Sequence, residues 1–230
     1  MKSNYIKVKP IFTIGILIGI LTIGFIGFNY IYLGMNGNPD KITETAKVLK
    51  ENMEEKYGIV IINNEGGYTN KDGYGAIFTT DSGITFGASK RKNGSVDTYM
   101  EEVWRKKGLE KWGYAETYLS HVEKINLNVG YREEAEKDSN KLTRRIEDVK
   151  DDLWLTLIID LQESYKERTA KVIEQDIFNY YQQLQKDGAE GVELIVRHKQ
   201  STGSYMIVRD EHGKFPNISN VESVSGTLSH

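Results

Sequence analysis

The sequence contains no cysteine. That excludes a disulfide framework, a thiolate zinc site, a thiol nucleophile and lipid attachment through an N-terminal cysteine. Acidic residues are missing from the first part of the chain: none occurs before Asp40, while Lys2, Lys7 and Lys9 do. Histidine is sparse, at His121, His198, His212 and His230, and no two sit at a metal-ligand spacing such as H-x-x-x-H. The sequence also lacks a G-x-S-x-G elbow, a phosphate-binding loop and a dinucleotide fingerprint. No catalytic residue, cofactor or metal is therefore assigned.

What is present first is an uncharged run, "IFTIGILIGILTIGFIGF", from Ile11 to Phe28, continuing past Asn29 as "YIYLGM". A helix that spans the hydrocarbon core needs about 20 apolar residues, whereas a cleaved signal has an apolar region of about 7–15 and a small-residue cleavage site. Here Tyr32 and Met35 occupy positions such a site keeps small. Residues 11–33 are thus expected to be an uncleaved membrane anchor. Residues 1–10 form its basic cytoplasmic tail, and the bulk lies outside the cytoplasm by the positive-inside rule. Tyr30 and Tyr32 suit the headgroup level. Gly15 and Gly19 form a G-x-x-x-G, a spacing that lets two helices pack closely and allows a homodimer.

Beyond the run there are 27 basic residues against 33 acidic, a net charge of −6. Such a surface is not an electrostatic footprint for nucleic acid. The expected partners are the lipid bilayer and a protein at the outer membrane face.

Residues 34–39 form a short joint, and residues 40–214 read as an extracytoplasmic α+β domain of small, mainly antiparallel sheet packed on amphipathic helices. It is either one continuous sheet or two subdomains, 40–124 and 125–214. Asp40 is the expected N-cap of a helix reaching Tyr57, with Ile42, Ala46, Leu49 and Met53 on its buried face. Strands are expected at Ile59–Ile62, "GYGAIFTT" and "ITFGAS", the last two joined by the tight turn "DSG". The intervening "NNEGGYTNKDGYG" reads as a glycine-rich loop. Asn70, Asp72 and Gly73 partly match a calcium loop, but Tyr68 and Thr79 fill positions that need acidic oxygens.

Ser95–Lys124 is expected to be helical and rich in aromatics. Tyr99, Trp104, Trp112, Tyr114 and Tyr118 would stack on sugars if exposed, or pack if buried. "INLNVGY" alternates as a half-buried strand, a short helix follows near Leu142–Val149, and "LWLTLIIDL" is an apolar run expected to be a central strand. A helix over Glu163–Lys186 with Val172, Ile173, Ile177, Tyr180, Tyr181 and Leu184 buried precedes a hairpin of "VELIVRH" and "YMIVRDE". The tail, 215–230, is expected to be loose.

The order "LKENMEEKYGIVI", a glycine-rich meander, "YMEEVW" and then "LWLTLIIDL" before a long helix resembles a loose group of small extracytoplasmic proteins of Gram-positive bacteria. These are anchored by a lipid or one helix and mostly have no assigned function. The resemblance implies the address and the α+β class, and carries no site residue over to this chain. Extracytoplasmic cystatin-like and NTF2-like domains offer a similar shape, a curved sheet on a helix, which is analogy of fold alone. Three functional classes follow: a non-catalytic binding or assembly module acting through protein contacts, a glycan-associated protein using exposed aromatics, and a hydrolase with an unrecognised site.

Overall fold

The structure, a computed structural model, describes residues 36–229 apart from 93, 133, 134 and 136. The apolar run, with Gly15 and Gly19, lies outside the described residues. Among these, no helix is long and apolar enough to cross a membrane. The fold is α+β with two mainly antiparallel sheets. The chain divides into two compact units between Thr98 and Tyr99, upstream of the expected 124/125 division.

The first unit begins with helix α1 (Pro39–Tyr57). Its N-cap is Asn38 rather than the expected Asp40: the Asn38 side chain accepts from the backbone N–H groups of Asp40 and Lys41, and Pro39 takes the first helical position, where its missing N–H costs nothing. Gly58 ends the helix at φ 63°, a conformation open to glycine. A four-stranded meander follows, β1 (Ile61–Thr69), β2 (Gly73–Thr80), β3 (Thr85–Arg91) and β4 (Gly94–Asp97), antiparallel throughout and in that order. The α1 residues Ala46, Leu49 and Met53 are buried, as are Ala76 and Phe78 on β2 and Phe86 and Ala88 on β3, with the two phenylalanine rings 5.5 Å apart. Asp97 fastens β4 to the helix end, accepting from Lys56 Nζ at 2.9 Å and from the Tyr57 hydroxyl at 2.8 Å.

The expected glycine-rich loop is instead strand. β1 continues through Gly66 and Gly67 and pairs Asn63–Thr69 with Gly73–Thr79, leaving only Asn70–Asp72 as the turn. Asp72 serves that turn: its N–H donates to Thr69 Oγ1, and its carboxylate pairs with Arg91 at 2.8 Å. Glycine at 66 is a packing requirement, because a Cβ there would lie 2.8 Å from Ile42 Cγ2 on α1.

The second unit starts with helix α2 (Tyr99–Trp112) and a 3-10 turn at Ala115–Thr117. A mixed sheet follows in the order β5 (Val122–Tyr131), β6 (Leu153–Leu161), β7 (Glu193–Arg197), β8 (Ser204–Ile207) and β9 (Leu228–Ser229). The expected helix Ser95–Lys124 is thus cut short: β4 takes its first residues, and β5 begins at Val122. Helix α3 (Glu167–Lys186) carries the chain from β6 to β7, which lie parallel; every other pair is antiparallel. Three 3-10 turns replace the short helix expected near Leu142–Val149, burying Ile146 and Val149.

β6 alternates strictly. Leu153, Leu155, Leu157, Ile159 and Leu161 are buried, while Trp154, Thr156, Ile158 and Asp160 face the other way. The buried row packs in one core with Trp104 and Trp112 of α2 and with Ile177, Tyr180 and Leu184 of α3. Val172, expected in the buried stripe of α3, is exposed; Glu174 takes a buried position instead. The tail is ordered as well. Helix α4 (Val221–Ser225) opens with a capping box at Asn220, Ile218 and Val224 are buried, and β9 pairs with β8. Buried Glu174 holds these parts together, accepting from the Tyr205 hydroxyl of β8 and from Ser225 Oγ of α4.

Helix α2 approaches the sheet closely at Gly108, where a Cβ would stand 2.2 Å from Leu127 Cδ2 and 3.1 Å from Ile146 Cδ1. Overpacking of this kind costs about 1–3 kcal/mol. Gly108→Val is expected to destabilise the protein by that amount in urea titration, and Gly67→Ala, at a site with open space, by less.

Candidate functional site

Among the described residues, each unit leaves one sheet face without a helix. In the first, α1 covers Ala76, Phe78, Phe86 and Ala88, so alternation turns Gly75, Ile77, Gly87 and Ser89 outward. Across the strands Ile77 stands opposite Glu65 and Gly87, Gly75 opposite Gly67 and Ser89, and Ser89 opposite Val96. The result is a trough of about 500 Å³ floored by glycine and serine, with Ile77 and Val96 standing 55% and 53% exposed within it. Glycine weakens a strand interior and often marks where a ligand or another backbone comes close. No atom lies within 4 Å of where a Cβ of Gly67 or Gly87 would be, so packing within the described residues does not demand these two glycines.

In the second unit the uncovered face carries Trp154, Thr156, Ile158 and Asp160 of β6 and Met206 of β8. Trp154 is 47% exposed, and its cross-strand partner is Gly130, which offers no side chain to cover it. At the other end of the same strand Arg197 of β7 forms a two-pronged ion pair with Asp160, at 2.7 and 3.1 Å.

The aromatics singled out from the sequence do not form a binding surface. Trp104 and Trp112 are 1% and 0% exposed, and Tyr99 is buried too. The Trp104 indole donates to the Tyr131 hydroxyl and the Trp112 indole to the Asp187 carbonyl. Tyr114 and Tyr118 are half-buried and pack against the Tyr180 ring, with Tyr114 also bonded to Asp187. Tyr114 and Tyr118 thus keep only part of their rings open for stacking. Trp154 is the exposed tryptophan. It was legible in "LWLTLIIDL" if read with a period of two, but the run also reads as uniformly apolar.

The carboxyl ends of the parallel pair β6 and β7 gather two of the histidines. His121, at φ 59°, accepts through its carbonyl from the Gln162 N–H, and its Nε2 lies 3.5 Å from Glu163 Oε1. His198 is 3% exposed, and its Nδ1 lies 3.2 Å from the Glu163 carbonyl. A carbonyl oxygen only accepts, so Nδ1 carries the proton and Nε2 keeps a lone pair. That Nε2 is buried without a hydrogen-bond partner among the described residues. A cleft of about 310 Å³ beside His121 also contains Glu163 and Asp176, whose carboxyl is pushed up by burial. The His121–Glu163 contact is too long for the firm hydrogen bond that would orient a general base. Among the described residues no three metal-ligating side chains converge.

Burial pushes the His198 imidazole below the ordinary value of 6.5. Below that pH the unfolded chain takes up a proton that the folded one resists, so stability is full above about 6.5 and falls as the pH drops through the window beneath it. In parallel urea titrations from pH 7 to pH 5, His198→Phe is expected to lose less stability than the wild type. Equal losses would show that His198 contributes nothing to the acid sensitivity.

Comparison of the chain with protein-family models, with curated proteins and with solved structures gives no match in any of the three.

Proposed function

We propose that this protein is a single-pass membrane-anchored module that works outside the cytoplasm through protein contacts, without catalysing a reaction. Residues 11–33 are its anchor, the lysines before them keep the N-terminus inside, and a pair of chains meeting at Gly15 and Gly19 is an accessory feature of the same reading. The observation that carries the binding role is the bare trough on the first unit. Exposed Ile77 and Val96 stand over strands in which Gly67 and Gly87 serve no packing within the described residues. A partner's extended segment lying across these strands would bring its backbone close to Gly67, Gly75 and Gly87 and cover the two aliphatic side chains. Burying such side chains is worth about 1.5–3 kcal/mol each.

The acidic balance beyond the run supports a protein partner over a nucleic acid. Burial of Trp104 and Trp112 removes the glycan-stacking alternative in the form that used them.

Two measurements test this reading. Protease added to intact cells is expected to digest the chain beyond residue 40; a domain shielded until the membrane is permeabilised would contradict the address. A photo-crosslinking residue replacing Ile77 is expected to capture a discrete protein neighbour in native membranes, while one replacing exposed Val172 on α3 is not. The same adducts from both positions, or none from Ile77, would contradict the binding role of the trough.

A further inference from the structure

On the uncovered face of the second unit, two arginines are stacked on one exposed tryptophan. The Arg132 guanidinium lies 5.0 Å and the Arg209 guanidinium 5.1 Å from the Trp154 ring centre, and Arg209 also stands 4.9 Å from the ring of Phe215. Each is held in place by the backbone: Arg132 Nε donates to the Leu153 carbonyl at 3.1 Å and Arg209 Nη2 to the Gly191 carbonyl at 2.9 Å. A guanidinium has five N–H donors in a fixed fork, so most of them remain unused. Neither guanidinium lies within 4.0 Å of a carboxylate among the described residues. The nearby Glu193 is engaged elsewhere, accepting from Thr156 Oγ1 at 2.8 Å and from the Arg209 backbone N–H at 3.4 Å. Burial and the charge of Arg132 hold Arg209 below the usual arginine range, with Glu193 and Asp151 opposing them. Two like charges therefore share one aromatic ring, with no carboxylate of the described residues within ion-pair distance.

We propose that this clamp binds a carboxylate of an acidic peptide segment in a partner protein. The carboxylate bridges Arg132 and Arg209 beside Trp154, and an apolar neighbour in the same segment rests on Ile158, Ile195 of β7 and Met206, which stand opposite one another across three neighbouring strands. Charge complementarity selects an anion, because a carboxylate accepts two parallel N–H bonds from one guanidinium, or a single bond from each, and relieves their repulsion. The surroundings select a short acidic peptide over a polyanion. The chain beyond the apolar run has a net charge of −6, so it lacks the broad basic field that nucleic acids or anionic membranes require. The bare backbone of Gly130 opposite Trp154 leaves room for the segment to lie against the ring. The proposal rests on the protein-binding reading and adds a partner chemistry to it.

Intrinsic fluorescence reads the site directly, since Trp104 and Trp112 are buried and Trp154 is the exposed indole. The full chain in detergent is titrated with a blocked peptide of alternating glutamate and leucine. The controls are its glutamine–leucine counterpart, inorganic phosphate and phosphatidylglycerol vesicles. The expected result is a saturable change in emission with the glutamate peptide, weakened by added salt, absent in Trp154→Phe, and about tenfold weaker or worse in Arg132→Gln and in Arg209→Gln. Arg132→Gln leaves the Arg209 contact with Phe215 in place and guards against loss through misfolding, which a matching thermal melt checks. Equal binding of the glutamine peptide, unchanged affinity in both arginine variants, or a response only to phosphate or vesicles would overturn the proposal. If Ile77 captures a partner while the glutamate peptide fails to bind, the clamp assignment fails alone. If Ile77 captures nothing, the protein-binding reading fails first.

Discussion

The second unit depends on the strict alternation of β6. Five aliphatic side chains, Leu153 through Leu161 at every second position, point to one side, and the two tryptophans of α2 and the apolar stripe of α3 are packed on that row. Period-two geometry then leaves no choice about the intervening residues: Trp154, Thr156, Ile158 and Asp160 must occupy the opposite face. Because both long helices of this unit serve the inner face, the outer one lacks a helix among the described residues. The exposed tryptophan, the two arginines stacked on it and the Asp160–Arg197 pair are consequences of that single commitment.

The first unit solves the same problem with one helix. Ala46, Leu49 and Met53 of α1 cover one face of the meander, and Gly66 lets the helix approach β1. With one helix for four strands among the described residues, these leave the second face bare, and there the sequence supplies glycine and serine where a solvated strand would ordinarily carry long polar side chains. A bare sheet face with isolated aliphatic residues is a liability for a free-standing domain and an asset for one that receives a partner. The two open faces differ in chemistry, one apolar and backbone-rich, the other cationic and aromatic. They therefore suit different features of a partner or two separate partners.

How much of this was legible in the sequence depended on which signal dominated each segment. Helix α1, strand β6 and helix α3 carry strong periodic patterns and stop signals such as Gly58 and Gly188, and their positions follow from them. β1 is illegible as a strand because Asn63 to Thr69 is polar and glycine-rich, the composition of a loop, and only the pairing with β2 makes it extended. The end of α2 is masked in the sequence because Trp112, Ala115 and Leu119 keep helical spacing across a 3-10 turn. The tail looked loose because its two buried anchors, Ile218 and Val224, are isolated among serines and asparagines, and Glu174, the group that ties it down, is distant in sequence. The clamp was illegible for the same reason: Arg132, Trp154 and Arg209 lie on three separate stretches that only the sheet brings together.

The central claim is that the outer sheet faces are covered by a partner in the membrane and bare in the isolated chain. Hydroxyl-radical footprinting of the purified protein beside the same protein in native membranes measures this directly. The account predicts strong labelling of Ile77, Val96 and Trp154 in the purified chain, protection of all three in membranes, and protection of Trp104 and Trp112 in both. Equal labelling of Ile77, Val96 and Trp154 in the two preparations would contradict it.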